Sequence, residues 1–90
     1  MMYREPSDSP WGVVVRCDTL CTGVYSVSTA GHGGIMVQTD AARRLLSPEA
    51  QAVGFQAGRY LNFEEDCDAP VVLRELVDSG IIAPRTDNYL

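Results

Sequence analysis

Lysine is absent from this chain, and histidine and tryptophan occur once each among its 90 residues. All positive charge therefore comes from seven arginines, set against twelve aspartates and glutamates for a net charge of −5. A protein so balanced is repelled by phosphate backbones, which excludes direct nucleic-acid binding and directs attention to basic or neutral partners. Long hydrophobic runs are missing as well. No stretch approaches the roughly 20 apolar residues of a membrane span, and the first ten residues lack a basic start followed by an apolar segment. The expectation is a cytoplasmic protein with no membrane association. Three cysteines, Cys17, Cys21 and Cys67, form an odd set without repeated spacing, so reduced thiols are expected in place of a disulfide framework. Neither a dinucleotide fingerprint nor a phosphate loop occurs, and no cofactor is expected.

What is present suits one folded domain. Hydrophobic residues make up 46% and charged residues 21%, an ordinary globular composition. Ninety residues allow a single core that buries roughly two thirds of the surface of the unfolded chain. Residues 1–10 hold two prolines and few apolar side chains, and read as an extended arm. A single domain is expected over 11–84, followed by a tail over 85–90.

Along that domain the β-branched run Val13-Val14-Val15 with Arg16 predicts a strand, and Cys17 to Thr22 a turn. Gly23 to Thr29 predicts a second strand, paired with the first as a hairpin, with Tyr25 and Val27 on the core face. Ile35 to Thr39 returns antiparallel, and Thr39 or Asp40 can cap a short helix through Leu46. Ser47-Pro48-Glu49 repeats the start signal for a second helix to Val53, ended by Gly54. Arg59 to Phe63 alternates as a strand. The apolar spacing over 71–80 predicts a third helix, closed by Gly80 in the left-handed region. The acids preceding it would lie at the favourable end of its dipole. The fold class is α+β: a small three- or four-stranded antiparallel sheet with helices packed on one face.

The densest chemistry lies in Ser28-Thr29-Ala30-Gly31-His32-Gly33-Gly34. Three glycines around one imidazole point to positive φ or to close approach of another group. His32 can serve as a base, a metal ligand or an interface anchor. Equally, it can be a turn residue whose ring bonds a local carbonyl, Glu65 or Asp66. A hydrolytic site could be assembled from Ser28, Thr29 or a cysteine with His32 and Asp66, but no nucleophile elbow is present. A zinc site could be drawn from Cys17, Cys21, His32 and Cys67, yet the paired knuckles of structural zinc sites are missing. No catalytic and no metal-binding residue is assigned. Glu64, Glu65, Asp66 and Asp68 place four acids within five residues, either as a solvated helix entrance or as a lure for a basic groove.

Trp11-Gly12, the stretch from Gly23 to Gly34 and Glu64-Glu65-Asp66 together resemble an uncharacterised domain of phage-borne and plasmid-borne proteins. That domain has a Trp-Gly entry, a Ser-Thr-Ala-x-His-Gly-Gly loop and a late Glu-Glu-Asp. The likeness spans most of residues 10–75. It implies a mobile-element setting inside a host cell and carries no activity with it. The expected function is that of a small acidic accessory protein that binds and inhibits a host defence complex, in its sharpest form an anti-CRISPR protein occupying a basic nucleic-acid groove. The partner-binding residues would be His32, Trp11, Arg59, Tyr60, Glu64, Glu65, Asp66 and Asp68, because charge sets docking while arginine and large aromatics dominate interface energetics. A small His32-dependent hydrolase or transferase and a structural module dimerising through a strand edge are the alternatives.

Overall fold

The computed structural model describes residues 4–83. A two-stranded hairpin, β1 (Asp8–Ser9) and β2 (Gly12–Val13), precedes a five-stranded sheet. That sheet comprises β3 (Arg16–Cys21), β4 (Val24–Ser28), β5 (Gly33–Gln38), β6 (Phe55–Ala57) and β7 (Tyr60–Glu64), in the order β3-β4-β5-β7-β6 and antiparallel throughout. Helices α1 (Thr39–Leu45) and α2 (Pro48–Val53) lie between β5 and β6 in the chain, and α3 (Ala69–Asp78) follows β7. The α+β class and the antiparallel sheet agree with the sequence. The sheet has one strand more than the expected four, because the three-residue β6 is too short to show an alternating pattern.

The first hairpin is displaced from its expected place. The run over 13–16 is not the first strand of the large sheet: Val13 pairs with Asp8, and Val13 and Val15 are 72% and 74% exposed. The strand lies over Arg16–Cys21, where a turn was expected, and the turn shrinks to Thr22-Gly23, with Gly23 at φ 85°. Cys17 and Leu20 reach opposite faces of the sheet, and a register shift between Thr19 and Cys21 puts Cys21 beside Leu20. That irregularity hides the alternation from a sequence reading. Nor do residues 8–13 form a free arm, since they fold back as β1–β2. The expected tail over 85–90 lies outside the described residues.

Both faces of the sheet are closed. On one, Val24, Ile35, Val37, Leu61 and Phe63 pack against Ala41, Ala42, Ala50, Val72, Leu73 and Leu76 of the helices. The alanines let α1 and α2 lie close to the strands. On the other, Tyr25, Val27 and Met36 are covered by Trp11 and Val14 from the N-terminal segment and flanked by Cys17 and Tyr60. The Tyr25–Val27 side is thus a second, smaller core, while the larger one forms on the Val24 side. Alternation alone cannot rank two buried faces. Gly54 does more than end α2: with φ −79° it needs no glycine backbone, but a Cβ there would meet the Phe63 ring at 2.8 Å.

The helices start differently from their sequence signals. Neither Thr39 nor Asp40 caps α1; the cap position is Gln38, with no side-chain bond. The Thr39 hydroxyl instead donates to the Arg59 carbonyl at 3.0 Å, fastening the helix entrance to the β6–β7 turn. Ser47 caps α2 as expected, its Oγ accepting the Ala50 N–H at 3.1 Å. Its own N–H donates to Glu75 Oε1 at 2.9 Å and its hydroxyl to Glu75 Oε2, so a carboxylate from α3 holds the start of α2. Gly80, at φ 73°, closes α3 as expected, and the Ile81 N–H returns to the Leu76 carbonyl at 2.9 Å. Glu75→Ala should cost about 1–3 kcal/mol, since two half-buried donors lose a charged acceptor. For a domain this size that is a fall in Tm of about 5 °C or more. Glu49→Ala, exposed on the first turn of α2, should stay within about 0.5 kcal/mol; thermal melts of both variants check the pair.

Candidate functional site

The His32 loop is a tight hairpin closed by Thr29. The Thr29 N–H donates to the His32 carbonyl at 2.7 Å, and the His32 N–H donates to Thr29 Oγ1 at 3.1 Å. The Thr29 hydroxyl shares its proton between the His32 carbonyl at 2.6 Å and the Trp11 carbonyl at 3.3 Å. Loop closure is thus a backbone and threonine matter, and the exposed imidazole has no hydrogen-bond partner among the described residues. Thr29 has its proton committed, so the Ser/Thr–His–Asp constellation drawn from sequence is not assembled around that residue.

No glycine of the motif has positive φ. Gly33 and Gly34 serve close approach. A Cβ on Gly33 would meet the Val27 carbonyl at 2.5 Å and Glu65 Oε2 at 3.1 Å. One on Gly34 would strike the Phe63 carbonyl and the Trp11 ring, the latter at 2.5 Å. Gly31 has open space around it and no backbone need.

The loop and the acidic stretch are neighbours. Gly34 pairs with Glu64, and the Glu65 N–H donates to the Gly33 carbonyl at 3.1 Å. Glu64 to Asp68 then wind one turn, with the Asp68 N–H on the Glu64 carbonyl at 2.9 Å, before α3 begins. None of these acids caps α3: Asp68 holds the cap position without a side-chain bond, and the first turn contains no acid. Their charges sit on a separate turn. The join between loop and acids is main chain, not a bond from His32 to Glu65 or Asp66.

Trp11 belongs to the same end of the sheet. Its ring covers Gly34 and meets Phe55 edge-on at 6.1 Å between centroids. Arg59 and Tyr60 do not belong there. Tyr60 stands at the other end of β7, four residues from Glu64, or about 13 Å along the strand, and Arg59 precedes it in the β6–β7 turn. Tyr60 packs edge-on against Tyr25 at 6.3 Å, and the Arg59 carbonyl anchors α1. Of the eight residues singled out from sequence, the fold gathers Trp11, His32 and the four acids and separates Arg59 and Tyr60 from them.

Sequence reasoning missed Val13, Val15, Phe55 and Asn62. The Val15 N–H donates to the Ser28 carbonyl at 2.8 Å, so the segment carrying the exposed valines runs beside the His32 loop. A β-branched run signals a strand, and only the tertiary fold reveals that it faces solvent. Asn62 is fully buried. Its Nδ2 donates to the carbonyls of Phe55 at 3.2 Å and Tyr60 at 3.1 Å, while its Oδ1 has no partner among the described residues.

The thiols do not converge. Cys17 and Cys21 serve opposite faces of the sheet, Cys67 is exposed on the acidic turn, and no three metal-ligating side chains cluster among the described residues. Burial, helped by Glu5 and Asp18, pushes the Cys17 thiol up to about 11, and burial raises Cys21 and Tyr60 as well. Among the described residues no helix is long and apolar enough to cross a membrane.

A family model described as a domain of unknown function (DUF7007) matches residues 4–80. No curated protein and no solved structure matches the chain.

Two sets of measurements check this geometry. Gly34→Ala should destabilise by about 1–3 kcal/mol through overpacking, whereas Gly31→Ala and His32→Ala should each stay within about 0.5 kcal/mol in urea melts. The three raised groups ionise at lower pH in the unfolded chain than in the folded one. For Cys17 the stabilisation is complete below its ordinary value of 9.0 and is lost as pH rises through about 11, and Cys21 and Tyr60 act in the same direction. Urea midpoints should therefore fall over that alkaline window, and Cys17→Ala should flatten the decline.

Proposed function

The chain belongs to the DUF7007 family, and we propose that it is a protein-binding domain that docks the acidic end of its sheet onto a basic surface of a partner. The observation that carries this reading is the gathering of Glu64, Glu65, Asp66 and Asp68 beside the His32 loop, with none of them in an ion pair among the described residues. The one ion pair among the described residues joins Arg16 and Asp18 elsewhere, at 3.4 Å. Unpaired carboxylates gain from an incoming positive surface, which speeds association and fixes register. Exposed Val13 and Val15 on the adjoining segment supply apolar area that charge alone lacks.

In the mobile-element setting that its motifs suggest, the partner is a host defence complex, and docking blocks it. An anti-CRISPR protein filling a positively charged nucleic-acid groove is the specific form: the acids occupy positions that phosphates would otherwise take. A negative protein of this size suits that role because it competes with the nucleic acid and does not bind it.

The test is capture from a host lysate by the wild-type protein and by a Glu64→Arg/Glu65→Arg/Asp66→Arg variant, followed by salt titration of the recovered complex. The wild type should retain a nucleic-acid-binding complex that the variant loses, and its binding should weaken steeply from low to physiological ionic strength. Recovery of the same proteins by both forms would falsify the reading.

A further inference from the structure

We infer that Trp11, Phe55 and Glu64 form a receptor for an arginine side chain of the partner, an inference that rests on the docking reading and names its central contact. Gly34 and Glu64 are cross-strand partners, so their Cβ positions lie about 5 Å apart on the same face. The Trp11 ring fills the Gly34 position, with Cη2 at 2.5 Å and Cζ2 at 2.8 Å from where a Cβ would stand. Glu64 therefore stands on the strand next to the residue that the indole covers. Phe55 closes the other side, edge-on to Trp11 at 84° and 39% exposed. An aromatic step next to an exposed carboxylate with no ion pair among the described residues is the arrangement that holds a cation by its π-face and its charge together.

The chemistry favours guanidinium over ammonium. A planar guanidinium stacks on an indole and meets a carboxylate with two parallel N–H bonds, whereas an ammonium offers a point charge.

Trp11 is the sole tryptophan, and its fluorescence reports this site alone. The probes are an acetylated hexa-arginine peptide and its hexa-lysine equivalent, titrated against the full chain. The arginine peptide should shift Trp11 emission saturably, at least about threefold more tightly than the lysine peptide. Glu64→Gln should weaken it about tenfold, and Glu49→Gln on α2 should leave it unchanged. Equal response to both peptides would overturn the guanidinium assignment, and indifference to Glu64→Gln would overturn the site. The two readings fail separately. Loss of lysate capture on reversing Glu65, Asp66 and Asp68, with a Trp11 signal that ignores Glu64, removes the receptor and keeps the docking surface; a Glu64-dependent signal with no partner captured removes the docking surface.

Discussion

Strand β5 is buried on both faces, and the rest of the molecule answers that constraint. Ile35 and Val37 face the helices, while Gly34 and Met36 face the N-terminal segment. A strand in this position requires two coverings. Three short helices supply one; a hairpin carrying a single tryptophan supplies the other. Neither covering would hold alone, because helices of six to ten residues are marginal without an apolar surface to lie on. The bond of Ser47 to Glu75 matters for the same reason: it ties α2 to α3, so that the helical layer binds the sheet as a unit.

The same strand positions the candidate site. Its first residues, Gly33 and Gly34, lack side chains because the β4 backbone, Glu65 and the Trp11 ring approach them. Close approach brings three separate parts of the chain to one end of the sheet: the Trp11 segment, the His32 loop and the acidic turn. None of them is near another in sequence. The glycines that make the centre compact therefore also assemble the surface around it.

The helices, the middle strands and the turn glycine Gly80 were legible from sequence, since apolar spacing, the Ser47 cap and a left-handed glycine act locally, although the expected Thr39 or Asp40 cap of α1 did not form. The first strand was not. A valine-rich run looks like core, but Val13 and Val15 point outward, while the mixed segment Arg16 to Cys21 forms the edge. An edge strand has one paired side and tolerates polar residues and an irregular register. The site was half legible: the motifs at 28–34 and 64–68 stood out by composition, and the structure brings them together. Arg59 and Tyr60 fell away because strand direction carries them to the far end of β7, a distance that sequence adjacency conceals.

The remaining residues at this end are those the fold does not use. The Gly31 site has room for a side chain and needs no special backbone; the His32 ring bonds nothing among the described residues; Val13 and Val15 remain in water; Glu64 is exposed beside an indole. Elsewhere several local choices agree with the structure, among them the Ser47 cap and Gly54 under the Phe63 ring. The residues that neither pack nor pair therefore collect at one end of the sheet, where consistency between sequence and fold is weakest. Apolar area, an aromatic pair and exposed carboxylates thus share one end of the sheet, assembled there by the close approach at Gly33 and Gly34.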